Sequence, residues 1–309
     1  CSTATLTLVI GAPAITANSD TRTVTNGVAG GTISSVLTND SYNGVTNPST
    51  NSITLSWGTL PAGVVTTTTV GELKVNAGTA SGTHQIPYTI CDGVNSATNC
   101  STATLTLVIG APAITANSDT FTVTNGANGG AAGNVLTNDE YNGITNLVGN
   151  ASVTLTWLAI PTGIQTHTNG DLSVAADTAS GTYVVTYKIC ENLNGSNCSI
   201  ATATIVVGQA TLTAVGDTFT VTNGANGGAA GNVLTNDEYN GTTNLVGNAS
   251  VTLTWLTVPA GIQTNTNGDL TVAAGTASGT YQVGYKLCEN IVGNNNCSVA
   301  TATIVVGQA

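Results

Sequence analysis

Charge is scarce in this sequence: Asp, Glu, Lys and Arg make up only 6% of it, and the cations reduce to Arg22, Lys74, Lys188 and Lys286. Against them stand 15 acids, and the resulting formal net charge of -11 repels phosphate backbones and anionic lipid. Nucleic acid and membrane surfaces are therefore poor partners. Long apolar runs are missing too. The richest, Leu105 to Ile114, is broken by Thr106, Gly110 and Pro112, short of the roughly 18 apolar residues of a spanning helix. Methionine is absent, and the chain opens on Cys1 inside a repeat, without a basic leader, so we expect a fragment or processed piece of something longer. Only two histidines occur, His84 and His167, at non-equivalent positions in different repeats. That spacing excludes a triad or metal centre shared by the repeats, so no enzyme is expected and both are read as solvent-facing strand residues.

What fills the chain instead is Thr, Ser, Asn, Gly, Val and Ala, the composition of a stranded protein coated with hydroxyls. The run from Cys1 to Thr21 recurs unchanged from Cys100 to Thr120, and Asp119 to Gly143 recurs from Asp217 to Gly241. A period near 100 residues is long enough for each unit to bury its own core, unlike solenoid repeats of about 20 to 50 residues. Gly11 to Asp20, Gly110 to Asp119 and Gly208 to Asp217 read as short linkers of Gly, Pro and small residues. The expected units are 12–110, 111–208 and 209–309, with 1–11 the last strand of a preceding repeat. A permuted phase, in which that strand opens the first unit, is the alternative.

Within a unit the period is two. Val251, Leu253 and Trp255 face one way, Thr252 and Thr254 the other, and Asn-Gly pairs such as Asn125-Gly126 and Asn142-Gly143 mark hairpins. About seven strands per unit imply an all-β fold of tandem immunoglobulin-like Greek-key β-sandwiches. In the third unit they are expected near 217–222, 232–236, 249–257, 261–266, 269–274, 280–288 and 297–306.

Seven cysteines fall as three close pairs and a singleton. Alternation puts both thiols of a pair on the outer face at the base of one hairpin loop, which predicts Cys91–Cys100, Cys190–Cys198 and Cys288–Cys297, with the partner of Cys1 upstream. Two soft ligands per unit are too few for a zinc site. Disulfides place the protein in an oxidising, extracytoplasmic compartment.

Asp119, Asp139 and Glu140 in the second unit, and Asp217, Asp237 and Glu238 in the third, are the candidate calcium ligands. Hard oxygens near a joint suit that ion, but the alternating acid spacing of a calcium loop is missing, and turn chemistry explains Asn-Asp as well. No other cofactor is implied. Trp57, Trp157 and Trp255 share parity with Leu55, Leu155 and Leu253, which assigns them to the core rather than to a sugar-stacking face. Lys188 and Lys286 read as surface charges. The tips Asp92 to Asn99, Glu191 to Asn197 and Glu289 to Asn296 vary most between repeats and are either binding loops or tolerant turns.

The segments GNVLTNDEYNG (Gly133 to Gly143), YKICENLNGSNCSIATATIVV (Tyr187 to Val207) and YTICDGVNSATNCSTATLTLVI (Tyr88 to Ile109) resemble the repeats of very large Bacteroidota surface adhesins of the SprB-like gliding-motility type. The resemblance covers all three units. It implies a long filament on the bacterial cell surface, exported by type IX secretion, moved by the gliding machinery and adhering to substratum or polysaccharide. Related calcium-binding repeats carry an acidic DxDxDG after the Asn-Asp, where this chain has EYNG or SYNG. Asp177 to Ala179 resembles the O-glycosylation motif of that phylum. Glycan- or protein-binding loop tips, and a strand-donating subunit using residues 1–11, are the competing readings.

Overall fold

A computed structural model describes residues 2–93, 98–293 and 295–308. It is all-β. The first repeat contributes ten strands: β1 (Ile15–Thr16), β2 (Asp20–Val24), β3 (Gly31–Ile33), β4 (Ser41–Tyr42), β5 (Val45–Thr46), β6 (Ile53–Trp57), β7 (Val64–Thr66), β8 (Leu73–Val75), β9 (Gly82–Asp92) and β10 (Cys100–Ile109). The same ten recur over 114–207 and 212–306. Seven of each ten have three or more residues, and the other three are two-residue strands.

In the first repeat the strands form a four-stranded sheet in the order β2-β10-β9-β6, a three-stranded sheet β3-β8-β7 and a small sheet β1-β4-β5. β2 runs parallel to β10, with Leu105 opposite Asp20 and Ile109 opposite Val24, while β10 with β9 and β9 with β6 are antiparallel. Crossing between sheets in this way gives an immunoglobulin-like sandwich. The alternation that predicts the strands also fills the core. Ile86, Tyr88 and Ile90 of β9 meet Leu105, Leu107 and Ile109 of β10, all at most 2% exposed, and face Ile33, Leu73 and Val75 of the other sheet. Each such aliphatic side chain stabilises the fold by about 2 kcal/mol.

One local expectation gives way. The strand expected near 232–236 lies earlier, at Gly228–Asn232, because Val233 and Leu234 are buried in succession, which a strand with one inward face cannot do. Each linker also carries a two-residue strand, Ile15–Thr16, Ile114–Thr115 or Leu212–Thr213. Ile15 pairs with Tyr42 and packs on the core, the Ala17 N–H donates to Ser101 Oγ (2.9 Å), and the Asn18 N–H donates to Asp40 Oδ1 (2.7 Å).

By packing, the chain divides into two compact units. One comprises Cys1–Ala116, Asp139–Thr154 and Lys188–Ile200, the other Asn117–Asn138, Leu155–Tyr187 and Ala201–Ala309, so the division runs through the second repeat. Residues 2–10 form no strand, and Cys1 lies outside the described residues. Among the described residues no helix is long and apolar enough to cross a membrane.

Candidate functional site

Two features recur in the repeats: a tyrosine set among buried carboxylates and a stapled hairpin tip. The first begins with β9, whose inward alternation delivers Tyr88 to the sandwich interior at 1% exposure. Its hydroxyl lies 2.7 Å from the Asn18 carbonyl, 3.1 Å from Asp20 Oδ2 and 3.1 Å from Asp40 Oδ1. One hydroxyl has one proton to give, so it cannot neutralise both acids. Burial pushes the Asp20 and Asp40 carboxyls above their usual range and, helped by those carboxylates, pushes the Tyr88 hydroxyl up strongly.

The third repeat lacks the relief available in the first. Arg22 pairs with Asp20 at 3.0 Å, whereas Phe219 stands at the equivalent place beside Asp217. Burial first, and the neighbouring Asp237 second, push Asp217 up to about 6. Asp237 Oδ1 accepts from the Val215 N–H (2.7 Å) and the Tyr285 hydroxyl (3.0 Å), while its buried Oδ2 has no hydrogen-bond partner. In the second repeat Tyr187 reaches Asp119 Oδ2 at 3.4 Å.

The six candidate calcium ligands divide between the interior and the surface of their repeats. Asp119, Asp139, Asp217 and Asp237 are buried, and the Asp237 oxygen nearest Asp217's tyrosine already accepts N–H and O–H donors. Glu140 and Glu238 are half-buried on the next residue of a strand, whose side chains point the opposite way. Among the described residues no group of three or more His, Cys, Asp or Glu is placed to hold a metal ion, and calcium asks for six to eight oxygens. Burial raises the carboxyls of the Asp20/Asp40 and Asp217/Asp237 pairs, so these hold a proton more tightly than free carboxyls do.

At the tip, Cys91–Cys100, Cys190–Cys198 and Cys288–Cys297 are disulfide-bonded, each with Cα atoms 4.1 Å apart, the first and third across directly opposed strand positions. Beneath the third bridge Glu289 Oε1 accepts from the Tyr239 hydroxyl (2.6 Å), and Asn296 Nδ2 donates to Glu289 Oε2 (3.2 Å) and to the Ala210 carbonyl (2.8 Å). Glu191 makes the same pair of bonds, with Tyr141 at 3.2 Å and Asn197 at 2.8 Å, and Asn197 reaches Pro112 at 3.0 Å. The stapled loop is thereby tied to the segment that enters its own repeat. Sequence reasoning passed over Asp92, Glu191 and Glu289, although an acid directly after the first cysteine of each pair and an Asn directly before the second are visible in every repeat. Residues 94–97 and 294 of the tips lie outside the described residues.

The remaining candidates fall into place individually. Trp57, Trp157 and Trp255 sit half-buried at the core's edge, their rings tilted against Tyr88, Tyr187 and Tyr285 at 5.6, 6.0 and 6.2 Å. Trp157 and Trp255 also donate their ring N–H to the carbonyls of His167 and Asn265. His84 is half-buried on the inward face of β9, two residues before Ile86, and so is not the solvent-facing residue expected. His167 is exposed but lies in the turn after Ile164–Thr166 rather than on a strand. Thr178 of the Asp-Thr-Ala motif is 6% exposed and donates its hydroxyl to Ala175 O at 2.6 Å, which makes it a turn residue rather than an open glycosylation site. The outer face of the four-stranded sheet carries hydroxyls, with Thr89 and Thr102 Oγ1 atoms 3.0 Å apart and Thr106 donating to Gln85 Oε1 at 3.1 Å.

No family model matches the chain, and no curated protein matches it. Among solved structures it is similar to mouse cadherin-23 EC22-24, at 14% identity and a TM-score of 0.37 over 94% of this chain and 96% of that one. Drosophila N-cadherin EC1-3 gives 13% and 0.36 over 94% and 98%. An endo-fucoidan hydrolase of glycoside hydrolase family 107 gives 14% and 0.29 over 83% of this chain and 39% of its own. Likenesses at these identities and scores fix neither a family nor a function, and the fold class rests on the strand order itself.

Proposed function

We propose that this chain is a structural and adhesive segment of a long extracellular filament, with units 12–110, 111–208 and 209–309 acting as successive beads and 1–11 as the closing strand of another. The observation that carries the reading is that one disulfide-stapled sandwich recurs along the chain with charge-poor, hydroxyl-lined outer faces. Such beads supply reach and many weak, equal contacts, which add up through multivalency. Uncharged hydroxyl faces suit neutral polysaccharide better than charged polymers. The sequence resemblance supports a bacterial cell surface, type IX export and a role in gliding adhesion.

The test is to image the parent protein by electron microscopy and to measure the binding of beads coated with this chain to neutral and anionic polysaccharide films. A thin fibre and retention on neutral films are expected. A compact globule, or no retention on any film, overturns the reading.

One observation favours a second reading, strand donation. Leu6, Leu8, Val9 and Ile10 are 91, 77, 84 and 85% exposed in a segment identical to a core strand. Donation to an open sheet of another molecule would cover them. Concentration-dependent assembly that disappears on deleting residues 2–10 is its signature, and a monomer at all concentrations removes it.

A further inference from the structure

We infer that consecutive repeats are fastened to one another by an asparagine latch that uses no metal ion, so the partner each repeat recognises at its ends is another repeat of the same kind. The inference is independent of what the chain adheres to.

The latch is built from two Asn-Gly motifs that alternation assigns only to turns. Asn142 and Asn240 each head a hairpin turn with φ 52°, and their backbone N–H groups donate to Ala113 and Thr211 of the incoming linker, both at 2.8 Å. Their side chains project to the preceding repeat. Asn142 Oδ1 accepts from Asn26 Nδ2, and Asn240 Oδ1 accepts from Asn125 Nδ2. Asn26 and Asn125 are oriented for this, because their own Oδ1 atoms cap the loop by accepting from the Val28 and Ala127 N–H groups at 2.8 Å. That leaves each carboxamide NH2 facing outward. Two carboxamides are complementary as donor and acceptor and need no ion between them.

The joints share the latch but differ around it. Asn240 Nδ2 also donates to Asn128 Oδ1 at 2.7 Å, so the turn is gripped through both ends of its side chain, and Ala127 packs against the buried cluster of the third repeat. Ala29 occupies the place of Asn128 in the first repeat, and there Asn194 Nδ2 donates instead to Ser81 Oγ at 2.8 Å. The equivalent residues outside these two contacts are more open: Asn43 is exposed where Asn142 and Asn240 are half-buried, and Ala225 is exposed where Ala127 is half-buried.

The connection is short enough for these contacts to count. The Gly110 N–H donates to Val24 (2.8 Å) and its carbonyl accepts from the Gly27 N–H (3.0 Å), so only Ala111, Pro112 and Ala113 remain before the strand Ile114–Thr115. A Cβ at Gly110 would lie 2.1 Å from the Thr25 carbonyl, so glycine is what lets the exit strand close on that loop. Tethering at this length raises the local concentration of the two surfaces, and contacts too weak to join separate molecules become effective.

The experiment uses the full chain with Asn142→Gly and Asn240→Gly together. Glycine accepts the positive φ and keeps the turn while deleting the latch. Asn43→Gly makes the same change at the equivalent, exposed turn of the first repeat and serves as the control for turn damage. 15N relaxation and residual dipolar couplings would be recorded in EDTA and again in calcium. The expected result is common tumbling and alignment of all repeats in the unaltered chain and the control in both buffers. In the double variant that common alignment is lost, while each repeat's chemical shifts away from the joints stay unchanged. Ala29→Asn in an otherwise unaltered chain should reduce residual motion at the first joint. Retained common alignment in the double variant overturns the latch. So does loss of alignment in the unaltered chain on moving from calcium to EDTA.

Discussion

Residues 2–10 and 101–109 are the same nine residues in the same order, yet one copy forms no strand and the other is the central strand of a sheet. Leu6 and Leu8 are 91% and 77% exposed, while Leu105 and Leu107 are fully buried. Alternation, β-branching and the flanking glycine are equal in both copies. What differs is company: 101–109 lies between β2 and β9, which supply ladder partners on both edges and a sheet opposite. Strand propensity therefore names a candidate, and neighbours decide the outcome.

The widest gap between the copies should appear in hydrogen exchange. Amides of 104–108 are expected to exchange only on global opening and those of 2–10 at nearly unprotected rates, a ratio on the order of 10^4 or more for an ordinarily stable domain. Similar protection in the two copies would mean that 2–10 finds a partner in solution. Mutation should divide them in the same way. Leu105→Ala or Leu107→Ala should cost about 3 kcal/mol in denaturant unfolding, and Leu6→Ala or Leu8→Ala less than about 0.5 kcal/mol. Removing the staple narrows the gap from the other side. Replacing Cys91 and Cys100 by alanine, which opens a loop with a sequence separation of 9, should cost about 2–3 kcal/mol and raise exchange first at the start of β10.

The smallest effect concerns the first rung of the same parallel pairing, where Asp217 stands opposite Ala302 in the third repeat. A carboxyl pushed up to about 6 in the folded state, against an ordinary 3.8, binds its proton more tightly folded than unfolded. Its stabilising contribution is complete below about 3.8 and is lost as the pH rises through about 6. Thermal unfolding of the third repeat should therefore shift up by a few degrees between pH 7.5 and pH 5. Asp217→Asn should raise the pH 7.5 value and flatten the profile. An unchanged slope in that variant would place the titration elsewhere.

The long strands and the disulfide pairs were legible because both follow a period of two within a dozen residues: Tyr88, Ile90 and Cys91 already declare their faces. The two-residue strands were hidden, since Ile15 and Thr16 are too short to show any period and take their conformation from Tyr42 and Ser41. The tyrosine and carboxylate clusters were hidden for another reason. Tyr88 lies 68 and 48 positions from Asp20 and Asp40, and nothing local records that a strand-borne hydroxyl will end between two acids. Asn142 illustrates a third limit. Its turn role is written in Asn-Gly, whereas its partner Asn26 sits 116 positions away in another repeat.

The parallel alignment of β2 with β10 also governs how a repeat responds to pulling. Tension enters at the start of β2 and leaves at the end of β10, and because the strands run the same way these points lie at opposite ends of their shared ladder. Traction then slides one strand along the other, and the five residue pairs from Asp20–Leu105 to Val24–Ile109 must yield together rather than one after another. A string of such beads resists force by shear at every link.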